Sequence, residues 1–372
     1  MLLLTLLTSL LAYLIYRFYL LPTLLSPLRH IPKASPDWRF SLYAWVYTEP
    51  DPIRIAKWVA KTPHNGLIRY PGIGGAERVV PLTSAAVQEV LATKAYASFA
   101  RPRFRGLLGN GLLSVDDAAH RMHRKKLAPA FAFKQVRGLY PVFWAKAREL
   151  IAGLGDGGGH VDLRQWTSRA ALDIIGTAAW GRDFRALEDP GSELVRRYSC
   201  IQAGSARAQR QGKMIYAAAL VVPMSVLVRW FPCEFFWNLA AGKAGLRSAC
   251  AEALSLKREA KEEARGDILD TAMKSEAFTE QELIDHLLTI LIAGHETSSL
   301  ALTWACYLLS LHPSVQTRLR AEIRAAIPSP AHTVSADVLE HMPLLRAVSR
   351  EAMRVIPAVR SCAAKPLQTR PS

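Results

Sequence analysis

Residues 293–298 read Ala-Gly-His-Glu-Thr-Ser and interrupt the most apolar stretch of the chain, LLTILIAGHETSSLALTWACYLL over 287–309. A carboxylate, an imidazole and several hydroxyls side by side can take up, hold and pass on protons. Each residue here also breaks a local rule. Gly294 costs about 1 kcal/mol against alanine inside a helix. Glu296 in apolar surroundings must find partners or take up a proton. Thr297 is spaced to donate to a carbonyl one turn earlier, which bends helices. Rules broken together at one place point to a functional site. The same residues also allow a blander reading, a helix-packing glycine beside a satisfied buried carboxyl. A zinc protease is excluded, because HExxH needs a second histidine where Ser299 stands.

The element that must carry this cluster is one helix. QELIDHLLTILIAGHETSSLALTWACYLLSLH supports roughly eight or nine turns at 3.6 residues per turn. A globular protein more usually shows about three. Apolar residues on every side predict that it lies in the core. Around it the pattern predicts helices over 52–62, 117–131, 135–153, 162–180, 192–210 and 244–264. Breakers such as GLGDGGGH and LEDPGS separate them. GLIRY and ERVVPL read as a short strand pair around PGIGG. The stretch 213–240 is strongly apolar but is interrupted by Pro223, Arg229 and Pro232, which predicts two greasy helices dipping toward a membrane surface. The expected fold class is mainly α with a small β component.

The N-terminus predicts a membrane attachment. MLLLTLLTSLLAYLIYRFYLLPTLL carries one charge, Arg17, and about 20 apolar residues suffice to cross a hydrocarbon core. Arg29, His30, Lys33 and Arg39 follow, which puts the bulk of the protein on the cytoplasmic side. No basic n-region and no small-x-small cleavage site mark a signal peptide. The expected organisation is one transmembrane helix over 1–25, a Pro-containing basic hinge over 26–38 and one domain over 39–372.

Half the residues are hydrophobic, which excludes a disordered chain. The net charge of +16 fits an acidic partner surface or a merely basic exterior. No basic run is interleaved with aromatics, so no nucleic-acid partner is expected. The cysteines Cys200, Cys233, Cys250, Cys306 and Cys362 show neither a CxxC pair nor metal-ligand spacing, which suits a reducing compartment.

Several motifs in order resemble the cytochrome P-450 monooxygenases. Ala293 to Ser298 match the (A/G)-G-x-(D/E)-T-(T/S) pattern of that family's central helix. HPSVQTRLRAEI over 312–323 is similar to its next helix, and Glu351-x-x-Arg354 matches its E-x-x-R motif. Upstream, in HRMHRKKLAPAFAF, His120 and Arg124 stand where the family has W-x-x-x-R. The style of PAFAF resembles a eukaryotic, fungal member. The resemblance implies a haem-dependent monooxygenase that inserts one atom of O2 into a lipophilic substrate. Electrons would come from an NADPH-dependent reductase. It implies an endoplasmic reticulum membrane location with the domain facing the cytosol. Gly294 would leave room for oxygen over the iron, Glu296 would relay protons, and Thr297 would hydrogen-bond the oxygen. His120, Arg124 and Arg360 would contact the haem propionates, for which arginine suits the carboxylate geometry. Glu351 and Arg354 would form a structural ion pair.

The family's haem-binding loop, F-x-x-G-x-R-x-C-x-G, finds no match after Arg354. Cys362, in RSCAAKP, has neither the Phe nor the flanking Gly residues. The expectation is therefore a chain truncated before the axial cysteine and inactive as it stands, with no metal ligand to name. The rival expectation is a non-catalytic, membrane-anchored remnant that binds a lipophilic ligand or a partner without haem.

Overall fold

A computed structural model of the protein describes residues 2–34, 52–71, 77–93, 99–100, 108–115, 117–155, 159–202, 224–230, 233–259, 267–329, 334–359 and 365–366, with a few single positions between 207 and 215. The chain folds as two compact units. One comprises 1–99, 203–238 and 367–372; the other comprises 100–202 and 239–366.

In the first unit, Leu2–Ile15 is α-helical, and Tyr16–Leu25 continues it in wider π-helical turns. Among the described residues no helix is long and apolar enough to cross a membrane. Pro22, which has no N–H to donate, lies within the π-helical turns.

The expected hinge, 26–38, is described as far as residue 34. Over 26–34 it lies against the strand pair: the Ala34 N–H donates to the Arg69 carbonyl at 2.8 Å, and Arg69 Nε donates to the Ile31 carbonyl at 2.9 Å. The strands are Leu67–Pro71 and Glu77–Pro81, antiparallel, with Arg69 opposite Val79. Glu77 pairs with Arg69 and accepts from Ser26. Ala34, Trp58, Ile68 and Tyr70 form a small core here.

The second unit is helical. It contains Asp117–Leu127, Tyr140–Leu154, Leu163–Trp180, Glu193–Gln202, Ile268–Lys274, Glu280–Leu311, Pro313–Ala326 and Pro343–Val355. The expected 244–264 helix starts earlier, as Glu234–Glu259, because no breaker separates EFFWNLAA from the residues after it. The expected 135–153 helix is split by a bend at Leu139, with Pro141 opening the longer piece.

The helix of 32 residues over Glu280–Leu311 is the long one foreseen from the pattern. Thr279 caps it in a capping box: its hydroxyl accepts from the Glu282 N–H at 3.3 Å, and Glu282 accepts from the Thr279 N–H at 2.9 Å. Its first half packs Leu283, Leu287, Leu288 and Leu291 into one core with Leu127, Leu172, Trp180, Leu246 and Leu269.

Candidate functional site

The polar cluster of the long helix is divided between two faces. His295 points inward and is 1% exposed. Its Nε2 lies 2.8 Å from Ser168 Oγ on the Leu163–Trp180 helix. Its Nδ1 lies 2.8 Å from the Tyr198 hydroxyl on the Glu193–Gln202 helix. Burial pushes the His295 pKa down to about 4, so the ring is neutral at ordinary pH, with one nitrogen donating and the other accepting. The same burial pushes the Tyr198 phenol up, and the Glu296 charge adds to that effect.

Gly294 lies beside this junction. A Cβ there would stand 2.6 Å from Ile175 Cδ1, so glycine is what lets the two helices close. On this side of Gly294, the Ile175 side chain stands where a Cβ would be. The helix-packing reading is the one the geometry supports. Two turns on, Thr303 Oγ1 meets Thr167 Oγ1 at 2.8 Å and extends the seam.

The other face is open. Successive residues turn by about 100°, so an inward His295 sends Glu296 and Thr297 away from the seam. Glu296 is exposed and Thr297 is half-buried. Glu296 was expected in an apolar environment; it lies at the surface instead. Thr297 does what its type foreshadowed, donating to the Ala293 carbonyl at 2.6 Å. Ser299 Oγ donates to the Glu296 carbonyl at 3.0 Å.

Earlier on the helix, Asp285 organises the loop 108–111. Its Oδ2 accepts from the Asn110 N–H at 2.7 Å, and its Oδ1 pairs with Arg247 Nη1 at 2.6 Å. Thr289 Oγ1 donates to the Asp285 carbonyl at 2.7 Å. A Cβ on Gly111 would meet Thr289 Oγ1 at 1.9 Å, so the loop touches the helix through its backbone. Sequence reasoning passed over Asp285, Arg247, Ser168 and Tyr198. A charge in the middle of LIDHLL was the available signal for Asp285; the others had none.

The two expected propionate contacts, His120 and Arg124, stand one turn apart on the Asp117–Leu127 helix. His120 is 3% exposed and turned inward, whereas Arg124 is exposed. His123 is also buried, and its ring centroid lies 4.9 Å from that of His286 and 5.2 Å from that of Phe278. Burial lowers the pKa of both imidazoles, that of His286 to about 4.

Glu351 and Arg354 form the expected pair, with Nε–Oε2 at 2.8 Å and Nη2–Oε1 at 2.6 Å. They are 59% and 71% exposed, so the pair lies on the surface rather than in the core; of their helix only Ala352 is buried. That helix is tied down at its start, where Glu322 accepts from the Leu344 and Leu345 N–H groups at 2.9 Å each. Arg360 and Cys362 lie outside the described residues.

A sequence profile described as Cytochrome P450 matches residues 36–366. The chain belongs to the cytochrome P450 family. It is 33% identical over 370 residues to cytochrome P450 monooxygenase sphH of Aspergillus fumigatus, covering 93% of this chain and 67% of that one. It is 31% identical to cytochrome P450 monooxygenase ALT8 of Alternaria alternata, covering 93% and 65%. With cytochrome P450 monooxygenase FUM15 of Gibberella moniliformis the identity is 33%, covering 90% and 61%. The chain thus spans about two thirds of the length of these fungal relatives. Two solved structures share the fold. A retinoic acid-bound cyanobacterial CYP120A1 aligns with a TM-score of 0.64 at 21% identity, over 82% of this chain and 65% of that one. A cytochrome P450DA heme domain aligns with a TM-score of 0.67 at 20% identity, over 87% and 69%.

Haem is the cofactor of this P450 family, and the described residues fit it in part. The exposed Arg124 is a cation of the kind that pairs with carboxylates. The open face carrying Glu296 and Thr297 presents proton-bearing groups to whatever lies against it. Burial pushes the Cys250 and Cys306 thiols up, away from the thiolate form.

Proposed function

We propose that this P450 is a haem-dependent monooxygenase inserting one atom of O2 into a lipophilic substrate, with electrons from an NADPH-dependent reductase. The observation that carries the reading is the two-faced long helix, in which His295 is locked inward while Glu296 and Thr297 front an open surface. When bound, haem would supply the activation of dioxygen. The chain's own residues have narrower tasks. Glu296, in contact with solvent, takes protons up and passes them along the helix face. Thr297 turns its hydroxyl from the Ala293 carbonyl toward the oxygen substrate. Arg124, Arg360 and His120 contact the propionates, the two arginines neutralising their charge. The apolar segments at 1–25 and 213–240 attach the protein to the endoplasmic reticulum membrane, the domain facing the cytosol.

A polypeptide of residues 1–372 contains no F-x-x-G-x-R-x-C-x-G loop. By itself it carries the oxygen-facing half of the site and does not perform the reaction. The test is a reduced, carbon monoxide-bound spectrum. The 372-residue polypeptide gives no thiolate-type Soret band. The same polypeptide extended with the C-terminal third of the Aspergillus fumigatus relative gives one and incorporates label from 18O2 into product. A thiolate-type band from the 372 residues alone would overturn the second statement. An extended chain that takes up haem without oxygenating any lipophilic substrate would overturn the first. Haem content separates both from a haemless, ligand-binding remnant.

A further inference from the structure

We infer that His295 is the positioning residue of this site: bridged between Ser168 and Tyr198, it sets the rotation of the long helix at the turn that presents Glu296 and Thr297. This rests on the reading of those two residues as the proton-handling pair.

The geometry is specific. The imidazole is 1% exposed and meets a hydroxyl at 2.8 Å on each ring nitrogen, each from a different helix. Its ring also stands edge-on to Tyr198, with centroids 4.5 Å apart at 79°. Apolar side chains sliding past one another tolerate small rotations, because dispersion is non-directional and each contact is weak. Two hydrogen bonds to one rigid ring do not, since they weaken steeply off their preferred distance and angle. At Gly294 beside it, even a Cβ would stand only 2.6 Å from Ile175 Cδ1, so the helix has little room to relieve a misfit by moving closer. Immediately after this point, the Thr297 and Ser299 hydroxyls both bond to helix carbonyls, at 2.6 Å and 3.0 Å. Such bonds compete with the helix's own ladder and leave the turn easier to bend. A softened turn next to a fixed ring takes its direction from the ring. Neither charge nor metal is needed; the ring works as a neutral donor–acceptor pair, which a glutamine amide can imitate.

Threonine-methyl NMR of the 372-residue chain in phospholipid nanodiscs reads the setting directly, because Thr289 and Thr297 lie on the same helix. We expect Tyr198→Phe and His295→Leu to move the Thr297 methyl signal by more than its line width while Thr289 stays in place. His295→Gln returns it toward the wild-type position. An unmoved Thr297 signal with a lowered thermal midpoint would reduce the bridge to packing and overturn the inference. Equal movement of both signals, a displacement of the whole helix, would overturn it too. Should His295→Leu fail to fold, Tyr198→Phe, which deletes a single oxygen, decides alone. The measurement involves neither haem nor turnover, so its failure leaves the monooxygenase reading standing. Conversely, an extended, haem-loaded chain whose turnover is indifferent to Glu296→Gln and Thr297→Ala sinks that reading and leaves the NMR result intact.

Discussion

The two halves of the long helix are about equally apolar in sequence and differ sharply in environment. In the first half, Leu283, Leu287, Leu288 and Leu291 are 4% exposed or less. In the second, Leu302, Tyr307 and Leu311 are 48%, 50% and 56% exposed. The first half meets four other helices and the Asp285-bound loop; the second keeps its polar seam to the Leu163–Trp180 helix and leaves these three side chains largely in solvent. Hydropathy reports what a helix could bury, and neighbours decide what it does bury.

Mutations across the divide test that contrast. The largest loss is expected at Asp285→Ala, which leaves Arg247 and the Asn110 N–H without their carboxylate; removing one partner of a buried pair costs about 3–5 kcal/mol. Urea unfolding monitored by circular dichroism measures it. Leu288→Ala, at 0% exposure, should cost about 3 kcal/mol, whereas Leu302→Ala at 48% should cost under about 1 kcal/mol. Equal losses at the two leucines would erase the distinction between the halves.

Acid sharpens the comparison at the seam. His286 and His295 are each lowered from 6.5 to about 4 by burial. Between those values the unfolded chain binds protons that the folded chain refuses, so stability falls as pH drops from about 6.5 toward about 4. The loss is of order 2–3 kcal/mol per histidine. His286→Phe should flatten the pH dependence of the denaturation midpoint relative to wild type. An unchanged slope would show that His286 is already solvated in the folded state. Smaller still, Thr279→Ala removes the cap and should cost about 1 kcal/mol. At the bottom of the range, Glu351→Ala should leave the unfolding curve in place, since its pair with Arg354 is on the surface. A clear loss there would mean the pair is more buried than its exposure indicates.

Much of the fold was legible because its signals are local. The long helix, the strand pair, the 162–180 helix and the ordered family motifs all follow from periodicity, breakers and short patterns. The Thr297 back-bond was legible for the same reason: it spans one turn. The environment of each site residue was not. That Glu296 would be exposed, that Ile175 would stand against Gly294, and that His120 would be buried while Arg124 is exposed depends on which side of each helix its neighbours cover.

The sequence by itself determined which residue types stand side by side at 293–298, the helix that carries them and the family they belong to. Covalent spacing and helical period are properties of the chain alone. Only the tertiary structure decided that His295 is the held residue and Glu296 the free one. The hydroxyls that hold the imidazole come from Ser168 and Tyr198, well over a hundred and nearly a hundred residues away respectively. No local rule reaches that far; packing of three helices does.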